Sequence, residues 1–286
     1  MYYQPPPIFR IKALHLFLIL VCWPLLSAGR SDQDSLYRVW KDGSEPDSVR
    51  LEALRSLIWD PQLFIKPDSA FVLAQVLYNE SEAYGNDMYR ALALNMQAIA
   101  RYQRGDLTGA LVLYQRGISV QQARGDSLGV AAFLHNMGMI SRDQGNLQQA
   151  MELFTREQRI QEALGAKDDE AATLNAIGAV HLSLNDNDHA FEHFTRGLAL
   201  SKEAGDSAMI ATSLVNLGSV ELERSDPEKA LEFLRAALVL NEAMAAQRTL
   251  AFNLRAMTRA YIALEQWSDA LRYAERARSI REKLGD

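Results

Sequence analysis

One short stretch of this chain carries residue types that could do chemistry, the sequence HAFEH at 189–193. On a helix, His189 and His193 would lie one turn apart and could hold one zinc ion between their imidazoles. Glu192 beside them could activate a water molecule, and the resulting chemistry would be metal-assisted hydrolysis of a peptide bond. Whether the stretch is such a site depends on what the same positions hold elsewhere in the chain.

The composition is that of an ordinary globular protein, with 48% hydrophobic and 23% charged residues. A net charge of −6 and a pI of about 5.5 argue against a nucleic-acid partner. The small numbers of glycine (16) and proline (8) among 286 residues favour helices. The sequence shows no glycine-rich phosphate loop, no Ser/His/Asp set and no pair of catalytic carboxylates. Outside the HAFEH stretch, it therefore predicts that the chain as given is not an enzyme and uses no cofactor.

The first 29 residues have the layout of a secretory signal peptide. Arg10 and Lys12 precede an apolar stretch at 13–26, and small residues at 27–29 offer a cleavage site. The apolar stretch is short for a membrane span, and an uncleaved anchor is the alternative. We therefore expect export to the periplasmic or extracellular side. Cys22, the single cysteine, lies within this stretch, so the mature chain is expected to have no disulfide.

The rest of the chain is an internal repeat with a period of forty residues. Alanine recurs at 70, 110, 150, 190, 230 and 270, and leucine recurs at 54, 94, 134, 174, 214 and 254. We divide the chain into a signal peptide (1–29), an N-terminal linker segment (30–47) and a repeat array (48–286). The array has six units at 51–90, 91–130, 131–170, 171–210, 211–250 and 251–286.

The pattern predicts two helices in each unit. Apolar residues at helical spacing are interrupted by a break at unit positions 15–16, such as Gly105-Asp106, and the residue at position 16 is placed to cap the second helix. Pro67 and Pro227 stand just after that cap, where a missing N–H costs little. Gly178 and its equivalents, with the alanine column, are small enough for the two helices to approach closely.

This pattern resembles the tetratricopeptide repeat. The resemblance rests on Leu at unit position 4, Gly at 8, the break at 15–16, Ala at 20 and an aromatic residue at 24, as in Tyr114, Phe154 and Phe194. The long period is similar to that of kinesin light chains and many bacterial signalling receptors. The resemblance implies an all-α fold, an α-solenoid in which antiparallel helical hairpins stack into a right-handed superhelix. HEAT repeats have a similar period but do not predict this glycine, turn and alanine series.

The other units decide the interpretation of HAFEH. Position 19, held here by His189, is Ser69, Gly109, Gln149, Lys229 or Asp269 elsewhere, and position 23, held here by His193, is Leu73, Leu113, Leu153, Phe233 or Tyr273. No other unit repeats the metal set, although His181 is near in sequence. We therefore interpret HAFEH as part of a repeat helix, with His193 partly buried and His189 exposed, and predict that the chain binds no metal. A zinc metallopeptidase acting through His189, Glu192 and His193 is the remote alternative.

By the same resemblance, the first helix of each unit lines a concave groove that binds an extended peptide or a protein partner. Positions 5, 6 and 9 would place seven candidate residues there: Asn95, His135, Asn136, Asn175, Asn216, Arg255 and Arg259. Asparagine carries both a donor and an acceptor, so it could pair with a peptide backbone. In the alternative, the asparagines bond each other or water, and the two arginines pair with acidic neighbours.

Two protein-binding functions remain open. The segment at 34–61 resembles the start of the exported repeat region of bacterial receptor histidine kinases and nucleotide cyclases, which implies the sensory part of a larger signalling protein. A stand-alone secreted interaction protein is the alternative. In the first case we expect a further helix to follow the last hairpin, with any membrane attachment and catalytic output domain beyond residue 286.

Overall fold

The computed structural model describes residues 31–59 and 66–284, and these residues form thirteen α-helices and no strand. The sequence-based prediction of an all-α fold built from helical hairpins is confirmed. In chain order the helices are α1 Ser31–Lys41, α2 Asp47–Trp59, α3 Pro67–Ala83, α4 Asp87–Gln103, α5 Leu107–Ala123, α6 Ser127–Asp143, α7 Leu147–Leu164, α8 Lys167–Ser183, α9 Asn187–Ala204, α10 Ser207–Glu223, α11 Pro227–Ala243, α12 Gln247–Ala263 and α13 Trp267–Leu284.

The helices begin at the interval of forty residues that the sequence shows. The first helices of the hairpins begin at residues 47, 87, 127, 167, 207 and 247, and the second helices begin at 67, 107, 147, 187, 227 and 267. Each first helix therefore begins four residues before the unit boundary drawn from the alanine and leucine columns. The segment at 30–47, expected as a linker, contains helix α1, whose Trp40 is buried against α2 and donates from Nε1 to Glu80.

The turns inside the hairpins use the residues that the sequence placed there. Asp106 Oδ1 accepts a hydrogen bond from the Gly109 amide at 2.8 Å, so it caps α5, and Asp226 Oδ1 caps α11 through the Lys229 amide at 3.0 Å. Asn146 occupies the same place before α7, but its side chain makes no capping bond. In the turns from the second hairpin onward, the residue before the cap has a positive φ, which glycine adopts freely in Gly105 and which Asn185 adopts at 59°.

The chain forms two compact units, one up to Ile140 and one from Ser141 onward. In the first unit, α2 packs against both α3 and α4, and α4 also packs against α3 and α5. Its core includes the fully buried Leu51, Leu54 and Leu77, together with Trp40 of α1. Phe133 of α6 is also buried in this unit and meets Tyr114 of α5 edge to face, with 5.9 Å between ring centroids.

In the second compact unit, each helix from α8 to α12 packs against the helix that follows it in the chain. The first helices α8, α10 and α12 also contact one another in sequence order. This arrangement stacks the hairpins side by side and brings polar residues of successive first helices together. It is the solenoid packing expected from the repeat.

Small residues allow the two helices of a hairpin to approach closely. A Cβ atom added at Gly178 on α8 would lie 2.7 Å from Cε1 of Phe194 on α9, and Phe194 is fully buried. In the next hairpin a Cβ atom at Gly218 would lie 2.7 Å from Cγ of Leu234. The glycine at unit position 8 therefore makes room for the large side chain at position 24.

None of the described helices is both long enough and apolar enough to cross a membrane. The proposed signal peptide at residues 1–29 lies outside the described residues.

Candidate partner-binding face and histidine cluster

Polar side chains join successive first helices. In the second compact unit, Asn216 Nδ2 on α10 donates to Asn175 Oδ1 on α8 at 3.0 Å. Asn175 Nδ2 in turn donates to Ser213 Oγ at 2.9 Å and to the Ala171 carbonyl at 2.8 Å. In the first compact unit, Asn136 Nδ2 on α6 donates to Asn95 Oδ1 on α4 at 3.1 Å. The two asparagine pairs are both separated by forty-one residues, so they are one repeated contact.

These pairs correct the expectation that all of the asparagines are available to pair with a peptide backbone. Four of the seven candidate residues, Asn95, His135, Asn136 and Asn175, are buried, and Asn216 is half-buried. The physical reason is that neighbouring first helices lie close enough for the asparagines to satisfy one another, the alternative weighed from the sequence. That these residues bind a partner stays a prediction. The buried asparagines would contribute by holding the more exposed side chains in place.

The accessible part of the candidate set lies on α10 and α12. Arg255 and Arg259 on α12 are exposed, and Thr212 and Asn216 on α10 are half-buried. We call these four residues the α10/α12 face. Arg259 forms an ion pair with Glu223 at 2.8 Å, and the Arg255 guanidinium lies 5.7 Å from the centroid of the Phe252 ring. An exposed pair of this kind contributes little to stability, so Arg259 can exchange Glu223 for an acidic group of a partner.

The HAFEH stretch takes a different form from the one expected of a peptidase site. His189 is exposed in the first turn of α9 and His193 is half-buried, both as predicted from the other units. Glu192 is exposed to solvent. Among the described residues, the side chains that could together hold a metal ion are those of His181, Asp186 and His189. His181 comes from the last turn of α8, so the hairpin, and not the helical spacing, brings these residues together.

Asp186 holds this cluster through both of its carboxylate oxygens. Its Oδ1 accepts from the backbone amide of His189 and caps α9, while its Oδ2 lies 3.0 Å from His181 Nδ1 and 2.7 Å from His189 Nδ1. Partial desolvation acts to raise the pKa of Asp186, but the hydrogen bonds from His189 and His181 outweigh it, so the pKa lies below the usual value. The carboxylate is therefore ionised at neutral pH.

The three histidine rings form one stack. The His181 ring lies 5.1 Å from the His189 ring and 5.3 Å from the His193 ring, measured between centroids. Burial lowers the pKa of His193, and the nearby His181 and Arg196 add to this effect. His193 is therefore neutral at physiological pH, and a neutral imidazole offers an unprotonated nitrogen.

Sequence reasoning passed over the roles of His181 and Asp186 together, but a signal for them was present. In the second repeat Arg101 and Asp106 occupy the same two repeat positions as His181 and Asp186, and they form an ion pair across the turn. Any repeat with complementary side chains at positions 11 and 16 therefore brings them into contact. The opening motif was read along one helix, where this contact does not appear.

These features define the class of protein as a helical-repeat scaffold, with stacked hairpins and a polar face on its first helices. A sequence model described as "Tetratricopeptide repeat" matches residues 129–203, 169–243 and 209–283, and so covers more than half of the chain. The chain belongs to the tetratricopeptide repeat family. Members of this family are in general non-catalytic scaffolds. No curated protein sequence matches the chain.

Solved structures share the fold at low sequence identity. BtubC from P. vanneervenii superposes with a TM-score of 0.61 at 18% identity, over 75% of this chain and 89% of that one. Aspartyl phosphate phosphatase F from Bacillus subtilis gives a TM-score of 0.68 at 17% identity, over 87% of this chain and 63% of that one. A signal transduction ATPase with a tetratricopeptide repeat sensor, from Pyrococcus horikoshii, gives a TM-score of 0.66 at 17% identity, over 88% of this chain and 38% of that one. At these identities the likeness concerns the fold.

Proposed function

We propose that this chain is an interaction scaffold that binds a peptide or protein partner on the first helices of its repeats. The observation that carries the proposal is the α10/α12 face, where Arg255 and Arg259 are exposed beside the half-buried Asn216. Backbone groups of an extended peptide can pair with an asparagine amide, and an acidic side chain can pair with an arginine. The partner is therefore a peptide segment with at least one acidic group.

The bond between Asn216 and Asn175 gives this face a fixed geometry. Because Asn175 accepts from Asn216 Nδ2, the Asn216 side chain is held in one orientation and its Oδ1 remains as an acceptor. A preorganised side chain loses less entropy when a partner binds. The buried asparagine therefore supports recognition through the half-buried one.

The proposal predicts that Arg255→Ala weakens peptide binding. The probe is a peptide enriched from a random display library on the purified chain, and the measurement is its dissociation constant by calorimetry. We expect a loss of about 1–2 kcal/mol, because Arg255→Ala removes a charge-assisted contact. The matched control is Arg278→Ala, which removes an exposed arginine from α13, the second helix of the same hairpin. Equal affinities for the two variants, or the failure of any peptide to enrich, would contradict the proposal.

We also propose that the chain is exported and forms the sensory or interaction part of a larger bacterial signalling protein. The supports are the signal-peptide layout of residues 1–29 and the resemblance of residues 34–61 to the exported regions of bacterial receptors. The tetratricopeptide repeat sensor in the Pyrococcus horikoshii ATPase is a precedent for such a role. A new N-terminus near Ala28 or Gly29, found by mass spectrometry of the exported chain, would agree with export. Retention of residues 1–29 in the cytoplasmic fraction would contradict it.

A stand-alone secreted interaction protein is the second candidate. It shares the signal-peptide layout and the α10/α12 face, so binding experiments do not separate the two. The coding sequence that follows Asp286 in the parent gene does. A membrane helix and an output domain encoded there would favour the receptor, whereas a stop codon would favour the secreted protein.

A further inference from the structure

The fourth hairpin gathers metal-ligating side chains at its turn. His181 lies in the last turn of α8, Asp186 precedes α9 and His189 lies in the first turn of α9. Each residue offers one ligand atom, and the three atoms lie within 4.8 Å of one another. The set spans two helices and the turn between them, so it is fixed by the fold of the hairpin.

The present hydrogen bonds already place the donors close to coordination distances. Asp186 Oδ2 lies 3.0 Å from His181 Nδ1 and 2.7 Å from His189 Nδ1. With metal–ligand bonds of about 2.0–2.2 Å, two ligand atoms of a tetrahedral zinc ion lie roughly 3.3 Å apart. Binding would require side-chain rotations that widen both of these separations and set the distance between the two imidazole nitrogens, now within 4.8 Å, to the same value. His189 has the freedom to make them, because 61% of its side chain is exposed.

The same repeat positions hold other chemistry in the neighbouring hairpins. In the fifth repeat Glu221 and Lys229, at the positions of His181 and His189, form an ion pair at 2.9 Å. In the sixth, Tyr261 and Tyr273, at the positions of His181 and His193, stack with 5.2 Å between ring centroids. These contacts join α10 to α11 and α12 to α13 without any imidazole. The packing of a hairpin therefore does not require histidines at this place, and their presence in the fourth repeat is a separate property.

His193 packs against the cluster and carries a ring nitrogen that has no partner among the described residues. Its Nδ1 is buried, has no hydrogen-bond partner among the described residues, and belongs to the ring that stacks on His181. A buried polar atom without a partner is unusual and costs free energy. His193 itself contributes none of the three clustered ligand atoms, which belong to His181, Asp186 and His189.

We propose that His181, Asp186 and His189 form a binding site for Zn²⁺ or a divalent transition metal of the same ligand preference. Two imidazoles and one carboxylate are a ligand set that such ions favour, whereas Ca²⁺ and Mg²⁺ require more oxygen atoms. Water completes the coordination on the exposed side of His189. This inference revises the sequence-based expectation that the chain binds no metal, and it leaves Glu192 outside the site. It is independent of the proposed partner-binding function.

The first test titrates the full chain with zinc chloride in a non-chelating buffer and follows binding by calorimetry. We expect about one Zn²⁺ per chain and a weakening of on the order of a hundredfold in Asp186→Asn and in His181→Gln. Each change alters a ligand, and loss of a group that only supports a ligand already costs about 10–100-fold. Asparagine still caps a helix, so Asp186→Asn should keep α9 intact. The matched control is Asp226→Asn, which changes the same repeat position beside no histidine and should bind as tightly as the wild type.

The second test separates this site from the helical HAFEH set. Glu192→Gln removes an exposed carboxylate, and His193→Leu introduces the residue that units two and three carry as Leu113 and Leu153. Both variants should change the zinc affinity by less than about threefold, and both should keep the visible absorption bands that Co²⁺ gives when it replaces zinc. The proposal is overturned if the wild type takes up no stoichiometric zinc. Retention of affinity in both ligand variants, or its loss in Glu192→Gln, overturns it as well.

Discussion

Phe194→Ala is expected to lower the free energy of unfolding by about 3–5 kcal/mol. Phe194 is fully buried on α9, faces Gly178 of α8 and belongs to the cluster that contains Leu217 and Val220 of α10. Its loss therefore leaves a cavity between three helices. Urea unfolding followed by circular dichroism measures the effect, provided that the array unfolds in one transition.

The repeat offers a compensating change that serves as the control. The sixth unit carries Thr258 at the position of Gly178 and Ala274 at the position of Phe194. Gly178→Thr alone should cost about 1–3 kcal/mol, because its Cβ would meet the Phe194 ring. In the double variant the threonine fills part of the cavity that Phe194→Ala leaves. The double variant should therefore lose about 1–2 kcal/mol less free energy of unfolding than the sum of the two single variants. A strictly additive loss would show that the two residues do not share this space.

Asn175→Ala should lower the free energy of unfolding by about 2–3 kcal/mol. Asn175 is buried on α8 and is bonded to Ser213 and Asn216 of α10. Its removal breaks the polar contact between the two first helices and leaves the buried Ser213 hydroxyl without this partner. The measurement is again urea unfolding, compared at equal denaturant slope.

Two variants on α10 calibrate that prediction. Asn216→Ala should cost about 1 kcal/mol, since the half-buried Asn216 can be replaced by water at Asn175. Thr212→Ala, whose hydroxyl only donates to the Ala208 carbonyl of its own helix, should change stability by less than about 0.5 kcal/mol. If Asn175→Ala is no more harmful than Thr212→Ala, the asparagine pair does not hold the helices together.

The sequence predicts the hairpins because their signals are local and repeated. Pro227 and Asp226 mark the start of α11, and the forty-residue spacing carries the same start to every other second helix that the structure describes. The sequence also predicts a close approach of the two helices at Gly178, whereas the contact of Gly178 with the Phe194 ring comes from the structure. These inferences need only helical geometry and the repeat register.

The details of the candidate sites depend on contacts between helices, which the register alone does not fix. Asn175 and Asn216 occupy groove positions in the repeat pattern, but their exposure is set by how closely α8 approaches α10. His181 and His189 belong to different helices, and only the turn at Asn185 and Asp186 brings their rings to 5.1 Å. Side-chain burial and cross-helix clusters are tertiary properties, so the sequence left them as alternatives.

The central claim, that a partner binds on the first helices, is tested most directly by photo-crosslinking. A photoreactive benzoylphenylalanine replaces either Thr212, on the α10/α12 face, or Val239, which is 67% exposed on the second helix α11. Each variant is irradiated with the display-enriched peptide, and the crosslinked fraction is measured by mass spectrometry. We expect a yield at position 212 at least about tenfold above that at position 239, because the peptide lies along α10 and α12. Equal yields, or a higher yield at position 239, would contradict the account.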